Sequence, residues 1–152
     1  HRKDDNLKLV LSEECPLDML IHLGDAEGSE HFIPDWVNPE CRMEMVLGNN
    51  DFFSRLDRER EIDIAGHKAF ITHGHYYGVS MGPEGLVDEA KSRGCDIAMY
   101  GHTHRPFLDV IDGVTVLNPG SLSYPRQEGR RPSYMIIHVD ADGKMDYQQK
   151  YL

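Results

Sequence analysis

Short apolar runs that stop abruptly at glycine or at a metal-ligating type of residue recur along the chain. DMLIHLGD carries a run from Met19 to Leu23 that stops at Gly24 and Asp25, and RMEMVLGNND one from Met43 to Leu47 that stops at Gly48, Asn49, Asn50 and Asp51. KAFITHGH reaches Thr72 before His73, Gly74 and His75. DIAMYGHTH runs from Ile97 to Tyr100 before His102 and His104, and VTVLNPGS ends at Asn118, Pro119, Gly120 and Ser121. Runs this short, rich in Ile, Val, Leu and Met and bounded by glycine, predict buried strands, because helices usually need about ten or more residues.

Helical patterns lie between several of these runs. Asp5 to Glu14 places Leu7, Leu9, Val10 and Leu11 behind the capping candidates Asp4 and Asp5, while Pro83 to Arg93 has proline at its start, Leu86 and Val87 inside and Gly94 as a stop. Three hairpins are predicted: EIDIAGHKAF turning at Ala65 and Gly66, FLDVIDGVTVL at Asp112 and Gly113, and SYMIIHVDADGKMDYQQKYL at Asp142 and Gly143. The sum is a mixed α/β chain forming one domain over residues 1–152, a length able to bury one sizeable core. In such sheets the loops after strand C-termini gather on one edge, so the polar run ends are expected to meet in space.

Charge narrows the partners. With 16 basic against 26 acidic side chains, the formal net charge of -10 excludes general nucleic-acid binding, which needs the opposite sign. A phosphate ligand would need a local positive source, either a metal or the arginines of PRQEGRRPS from Pro125 to Ser133, where Arg126 stands first. The alternative for that segment is a solvated turn. No stretch of about 18 apolar residues and no export-type leader pattern is visible, so no membrane partner and a cytoplasmic location are expected. Cys15, Cys41 and Cys95 lack any C-x-x-C pairing and indicate neither a disulfide framework nor a structural zinc site. No pattern speaks for or against a homo-oligomer.

Asp25, Asn49, His73, His102 and His104 are the residue types of mixed carboxylate, amide and imidazole coordination, as used for Mn, Fe or Zn. Each stands just past a predicted strand, where it would be held rigidly. Taken singly, each histidine is as readily a hydrogen-bonded or solvent-facing residue. His22, inside an apolar run, is expected in the core, and His31, His67 and His138 carry no motif.

The order Gly24-Asp25, Gly48-Asn49-x-Asp51, His73-Gly74-His75, Gly101-His102-Thr103-His104 and Asn118-Pro119-Gly120-Ser121 resembles the calcineurin-like metallophosphoesterases. Within them it is similar to the small single-domain bacterial and archaeal phosphodiesterases, over nearly the whole chain. The resemblance implies two facing mixed β-sheets flanked by helices, a four-layer α-β-β-α sandwich with two divalent metals at the strand ends. It implies that Asp25 bridges the metals, with His104 on the first and Asn49, His73 and His102 on the second. The family pattern opens with D-x-H, and His1, 24 positions before Asp25, matches that histidine. This places the first strand and its aspartate upstream of His1, the other reading of His1 being a processing scar.

The implied activity is hydrolysis of a small phosphoester, a phosphodiester foremost, by a hydroxide shared between the metals. Manganese suits this donor set first, with nickel, zinc or iron also fitting. Asp25, Asn49 and His75 would be catalytic, and Asn50 and Arg126 would contact substrate. Many relatives carry a histidine after the metal-binding asparagine, whereas this chain has Asn50, an amide that cannot act as a general acid. His75 is the replacement candidate, with a hydrogen-bonding role beside His73 as its alternative. Asp51 is expected to orient the Asn49 loop. A second class implied by the resemblance is a protein-interaction scaffold, like the retromer subunit that has altered ligand positions. A third is a metal-stabilised binding domain using the loop from Tyr76 to Pro83. Retention of Asp25 and Asn49 favours the enzyme.

Overall fold

A computed structural model of the protein describes residues 1–152. Helix α1 (Asp5–Glu14) leads to β1 (Met19–His22) and β2 (Arg42–Met45), which pair in parallel. β3 (Glu59–Ile64) and β4 (His67–Thr72) form the first hairpin, and α2 (Glu84–Ser92) then crosses to β5 (Ile97–Met99). β6 (Pro106–Ile111) with β7 (Val114–Pro119), and β8 (Ser133–Val139) with β9 (Met145–Tyr151), are the other two hairpins. The largest sheet has the order β3-β4-β5-β7-β6, parallel at its centre and antiparallel at both edges. No helix is long and apolar enough to cross a membrane.

Turn residues fix these boundaries. Ala65 and Gly66 (φ 52° and 87°) and Asp112 and Gly113 (φ 50° and 79°) put both central positions in the left-handed region. That is the turn whose twist matches paired strands. Pro83 caps α2, Glu84 sits in its first turn and Lys91 in its last, each sign matching the helix dipole.

α2 buries Leu86, Val87 and Ala90 with Phe70, Ala98, Val114 and Val116 on one face of the five-stranded sheet. A large aliphatic side chain shielded in this way contributes about 1.5–3 kcal/mol. On the opposite face Ile62, Ala69, Ile71, Ile97, Met99 and Leu117 meet Leu23 and Val46, with Met135, Ile137, Met145 and Tyr147 packed around them. Outside that layer, α1 and the 3-10 turns Ser29–His31 and Ile33–Trp36 complete the stack, with Ile33 and the half-buried Leu7 in one cluster with Met45 and Leu20.

The four-layer order expected from the sequence is therefore present, with one difference: the second β layer is divided into two pairs, β1-β2 and β8-β9. Between them lies a cleft of about 540 Å³, lined by Met19 to Leu23 and by Tyr134 to Val139, and also by His1, Asp25 and His104. The cleft explains why β1, an apolar run that reads as a buried strand, is only half-buried at all four positions. Asp4 also departs from its expected capping role. Its side chain makes no cap bond, and its carboxylate instead accepts from Ser29 Oγ at 2.8 and 2.9 Å, tying α1 to the first 3-10 turn.

Candidate metal centre

Asp25 follows β1, Asn49 follows β2, His73 follows β4, and His102 and His104 follow β5, while His1 precedes α1. The strand ends converge, and all six side chains meet. His1 Nε2 lies 3.1 Å from His104 Nε2 and 3.5 Å from Asp25 Oδ2. The same Oδ2 is 3.3 Å from His73 Nε2, which is 2.9 Å from Asn49 Oδ1 and 3.2 Å from His102 Nδ1. His102 Nδ1 is in turn 3.2 Å from Asn49 Oδ1. Asp25 thus stands between a His1–His104 group and an Asn49–His73–His102 group. His1, Asp25 and His104 offer ligand atoms within 4.8 Å of one another.

Hydrogen bonds aim the rings inward. Nδ1 of His73 lies 2.6 Å from the Leu23 carbonyl, and Nδ1 of His104 lies 2.8 Å from the Tyr124 carbonyl. A carbonyl only accepts, so both Nδ1 atoms carry the proton and both Nε2 atoms present lone pairs. Nδ1 of His1 is held by the Glu27 carboxylate at 2.8 Å in the same manner. His1 Nε2 then faces His104 Nε2, and His73 Nε2 faces an amide oxygen, as acceptors against acceptors. A cation between them turns this repulsion into coordination. Separations near 3 Å are those of neighbouring ligands each about 2.1 Å from a shared ion. The donor set therefore fits divalent metal.

The backbone bends sharply to deliver these groups. Asp25, His102 and His104 have φ of 61°, 65° and 59°, a left-handed conformation that costs a side-chain-bearing residue about 1–2 kcal/mol. Glycine is required beside them. A Cβ on Gly24 (φ 104°) would lie 2.6 Å from His73 Nδ1, and one on Gly48 would lie 2.1 Å from Asp25 Oδ1. Asp51, expected to orient the Asn49 loop, has a buried carboxylate that accepts from the N–H groups of Asp25, Glu27 and Gly48 at 2.8, 2.7 and 2.8 Å. The fifth strand end braces rather than ligates. Asn118 Nδ2 donates to the Gly101 carbonyl and to Thr103 Oγ1, both at 2.9 Å, supporting the histidine loop.

Burial alone would raise the Asp25 carboxyl, but its contacts with His73 and Asn50 hold it well below the usual carboxylate range. Burial lowers the pKa of His102 and His104, reinforced by the Arg126 charge on both, which favours the neutral rings that metals require. His22 is half-buried rather than deep in the core. Its ring accepts the Gly24 N–H at 3.2 Å, and burial brings its pKa down to about 4.

The remaining candidates lie around the rim. Asn50 is engaged with Asp25, its N–H reaching Oδ1 at 2.8 Å and its side-chain amide Oδ2 at 3.0 Å. His75 has its ring 5.3 Å from His73 and 6.0 Å from His102, centre to centre, and its buried Nδ1 has no hydrogen-bond partner. Arg126 is exposed, and its N–H donates to the His104 carbonyl at 3.0 Å. Sequence reasoning missed Glu27 and Tyr124, the orienting partners of His1 and His104. No spacing rule marks Tyr124, because its backbone carbonyl does the work; Glu27 was detectable only as a second carboxylate two residues after Asp25.

Comparison with known proteins identifies the family. Residues 1–142 match the calcineurin-like phosphoesterase superfamily domain. A probable metallophosphoesterase of Bacillus subtilis is 29% identical over 143 residues, 93% of this chain and 81% of its own. Among solved structures, an archaeal phosphodiesterase superposes with a TM-score of 0.77 at 25% identity, covering 100% of this chain and 94% of that one. A single mutant of Vps29 from Entamoeba histolytica has the same fold, with a TM-score of 0.77 at 21% identity and coverage of 100% and 93%. The chain belongs to the calcineurin-like phosphoesterase superfamily.

Proposed function

We propose that the protein is a metal-dependent phosphodiesterase that holds two divalent ions, manganese foremost, between His1, Asp25, Asn49, His73, His102 and His104. The observation that carries this reading is the set of acceptors facing acceptors around Asp25 Oδ2. When bound, such ions polarise phosphoryl oxygens and lower the pKa of water enough to supply a nucleophile near neutral pH. The chain's own residues do the rest. Asp25 would supply the one carboxylate available to both ligand groups, while Asp51 and Asn50 keep it in place. His75 stands beside the His73 and His102 rings as a proton donor to the leaving oxygen, and Arg126 places a positive charge near His102 and His104 for the phosphate. Residues 1–152 act as one domain in this reading, with the cleft between β1 and β8 beside the ligand groups. A cytoplasmic enzyme acting on a small phosphoester is the role in view.

Elemental analysis after loading with manganese is expected to give about two ions per chain, the count of a two-metal site. Zero or one bound ion together with no hydrolysis of bis(4-nitrophenyl) phosphate overturns the assignment. The scaffold reading draws on the shared fold with Vps29, and turnover separates the two.

Asn50 leaves the site without a histidine at the position after Asn49, so rates across a series of esters are expected to fall steeply as the leaving group becomes more basic. Asn50→His should flatten that dependence, by up to about 10²- to 10⁴-fold for alkyl esters and little for nitrophenyl esters. His75→Ala should hurt poor leaving groups selectively if His75 supplies the proton. Metal content is measured alongside, because Asn50→His gives up a bond to Asp25. Equal slopes in wild type and both variants remove both positions from the proton-transfer step.

A further inference from the structure

Arg58 is a fixed positive charge at the rim of the site without an acidic partner. Its guanidinium lies 3.8 Å over the centre of the Tyr76 ring, Tyr76 lies 4.4 Å from the His75 ring, and His75 lies 5.3 Å from His73. Ring contacts, tilted between Tyr76 and His75 and edge-on between His75 and His73, therefore run without a gap from the guanidinium to His73. Both ends of Arg58 are anchored. Its carbonyl accepts from Thr72 Oγ1 at 3.3 Å, just before His73, and the carbonyl of the preceding Asp57 accepts the Leu47 N–H at 2.8 Å, just before the Gly48–Asn49 loop. Arg42, Arg60 and Arg93 all pair with glutamates, whereas Arg58 makes no ion pair in a chain of net charge -10. An arginine left unpaired and stacked, with its forked donors free, is arranged to meet an anion.

We propose that Arg58, held by Tyr76, determines specificity by binding a second anionic group on the leaving-group side of the phosphodiester. The substrate class is then a phosphodiester whose departing alcohol itself carries a phosphate or carboxylate. This rests on the phosphodiesterase reading above, because His75, the neighbour of Tyr76, marks the leaving-group side.

Two hydrolysable probes test it: methyl 4-carboxyphenyl phosphate, whose single aryl leaving group is anionic, and its neutral counterpart methyl 4-carbamoylphenyl phosphate. The manganese-loaded enzyme is expected to prefer the first in kcat/KM, and Arg58→Ala to lower that preference about 10-fold while leaving the neutral ester nearly unchanged, as for one charge-assisted hydrogen bond in an exposed setting. Tyr76→Ala should lose part of the preference by freeing Arg58. Added salt should shrink it in wild type and not in Arg58→Ala. Calorimetric titration with (4-carboxybenzyl)phosphonate and (4-carbamoylbenzyl)phosphonate, which are not hydrolysed, reads the same contrast without turnover. Hydrolysis of both esters with no preference, or a preference untouched by Arg58→Ala, overturns the role of Arg58 and leaves the enzyme reading standing. Failure to hydrolyse either ester sinks the enzyme reading, and equal phosphonate affinities in wild type and Arg58→Ala then remove Arg58 as an anion-binding residue too.

Discussion

Asp25→Ala should lose essentially all phosphodiesterase activity, well beyond the roughly 10- to 100-fold typical of removing a hydrogen-bonding partner outside a metal's ligand shell. Among the six residues that meet at the strand ends, Asp25 is the sole carboxylate, and its Oδ2 stands between His1 Nε2 and His73 Nε2. Without it the two groups of neutral donors share no negative charge, and on the proposed two-ion reading both positions weaken together. Asp25→Asn keeps the size and the shape while removing the charge, and should fail almost as completely. Circular dichroism should find both variants folded, since the layers are held by apolar clusters to which Asp25 does not belong. Activity that survives Asp25→Ala with unchanged metal content assigns the chemistry to another site or to a contaminant.

Gly48→Ala should damage stability and activity at once. The added Cβ would stand 2.1 Å from Asp25 Oδ1 and 2.3 Å from the Asp25 backbone nitrogen. A side chain can rotate away, but a backbone atom moves only if the β1 and β2 loops part. Overpacking usually costs about 1–3 kcal/mol, and this case lies at the upper end. The midpoint of thermal unfolding should drop by roughly 6 to 12 °C, at about 2 to 4 °C per kcal/mol for a chain of this size. Gly66→Ala serves as the control, with a left-handed φ of 87° but open space around the new Cβ. It should cost about 1–2 kcal/mol of backbone strain and leave turnover intact. If Gly48→Ala is no worse than Gly66→Ala in either respect, the β1 and β2 loops do not approach as closely as described.

Much of this architecture is legible in the sequence because local chemistry decides it. The β3-β4 and β6-β7 hairpins turn at Ala65–Gly66 and Asp112–Gly113 since few residues tolerate left-handed φ, and α1 spans Asp5–Glu14 as its apolar pattern indicates. The convergence of Asp25, Asn49, His73, His102 and His104 follows from strand direction alone. What escaped depends on contacts between distant segments. A run such as Met19 to His22 looks the same whether its edge is paired or opens on a cleft, so the divided second layer was not visible. Arg58 and Tyr76 are 18 positions apart in different loops, and their stacking leaves no mark on periodicity. Asp4 has the residue type of a cap because that rule is local, whereas its partner Ser29 lies 25 residues away.

The centre also has a kinetic consequence. Its donors lie at positions 1, 25, 49, 73, 102 and 104, and only the last two are neighbours along the chain. Every other pairing closes a loop, at a conformational entropy cost that must be met before the contact returns anything. The 2.6 Å bond from His73 to Leu23, which joins the end of β4 to the end of β1, forms only once the two β layers have docked. A chain that has made its hairpins but not that contact has no pocket for an ion. Cation affinity is therefore a late event in the search for the native state, acquired all at once when the layers close, and native topology rather than local sequence sets its timing.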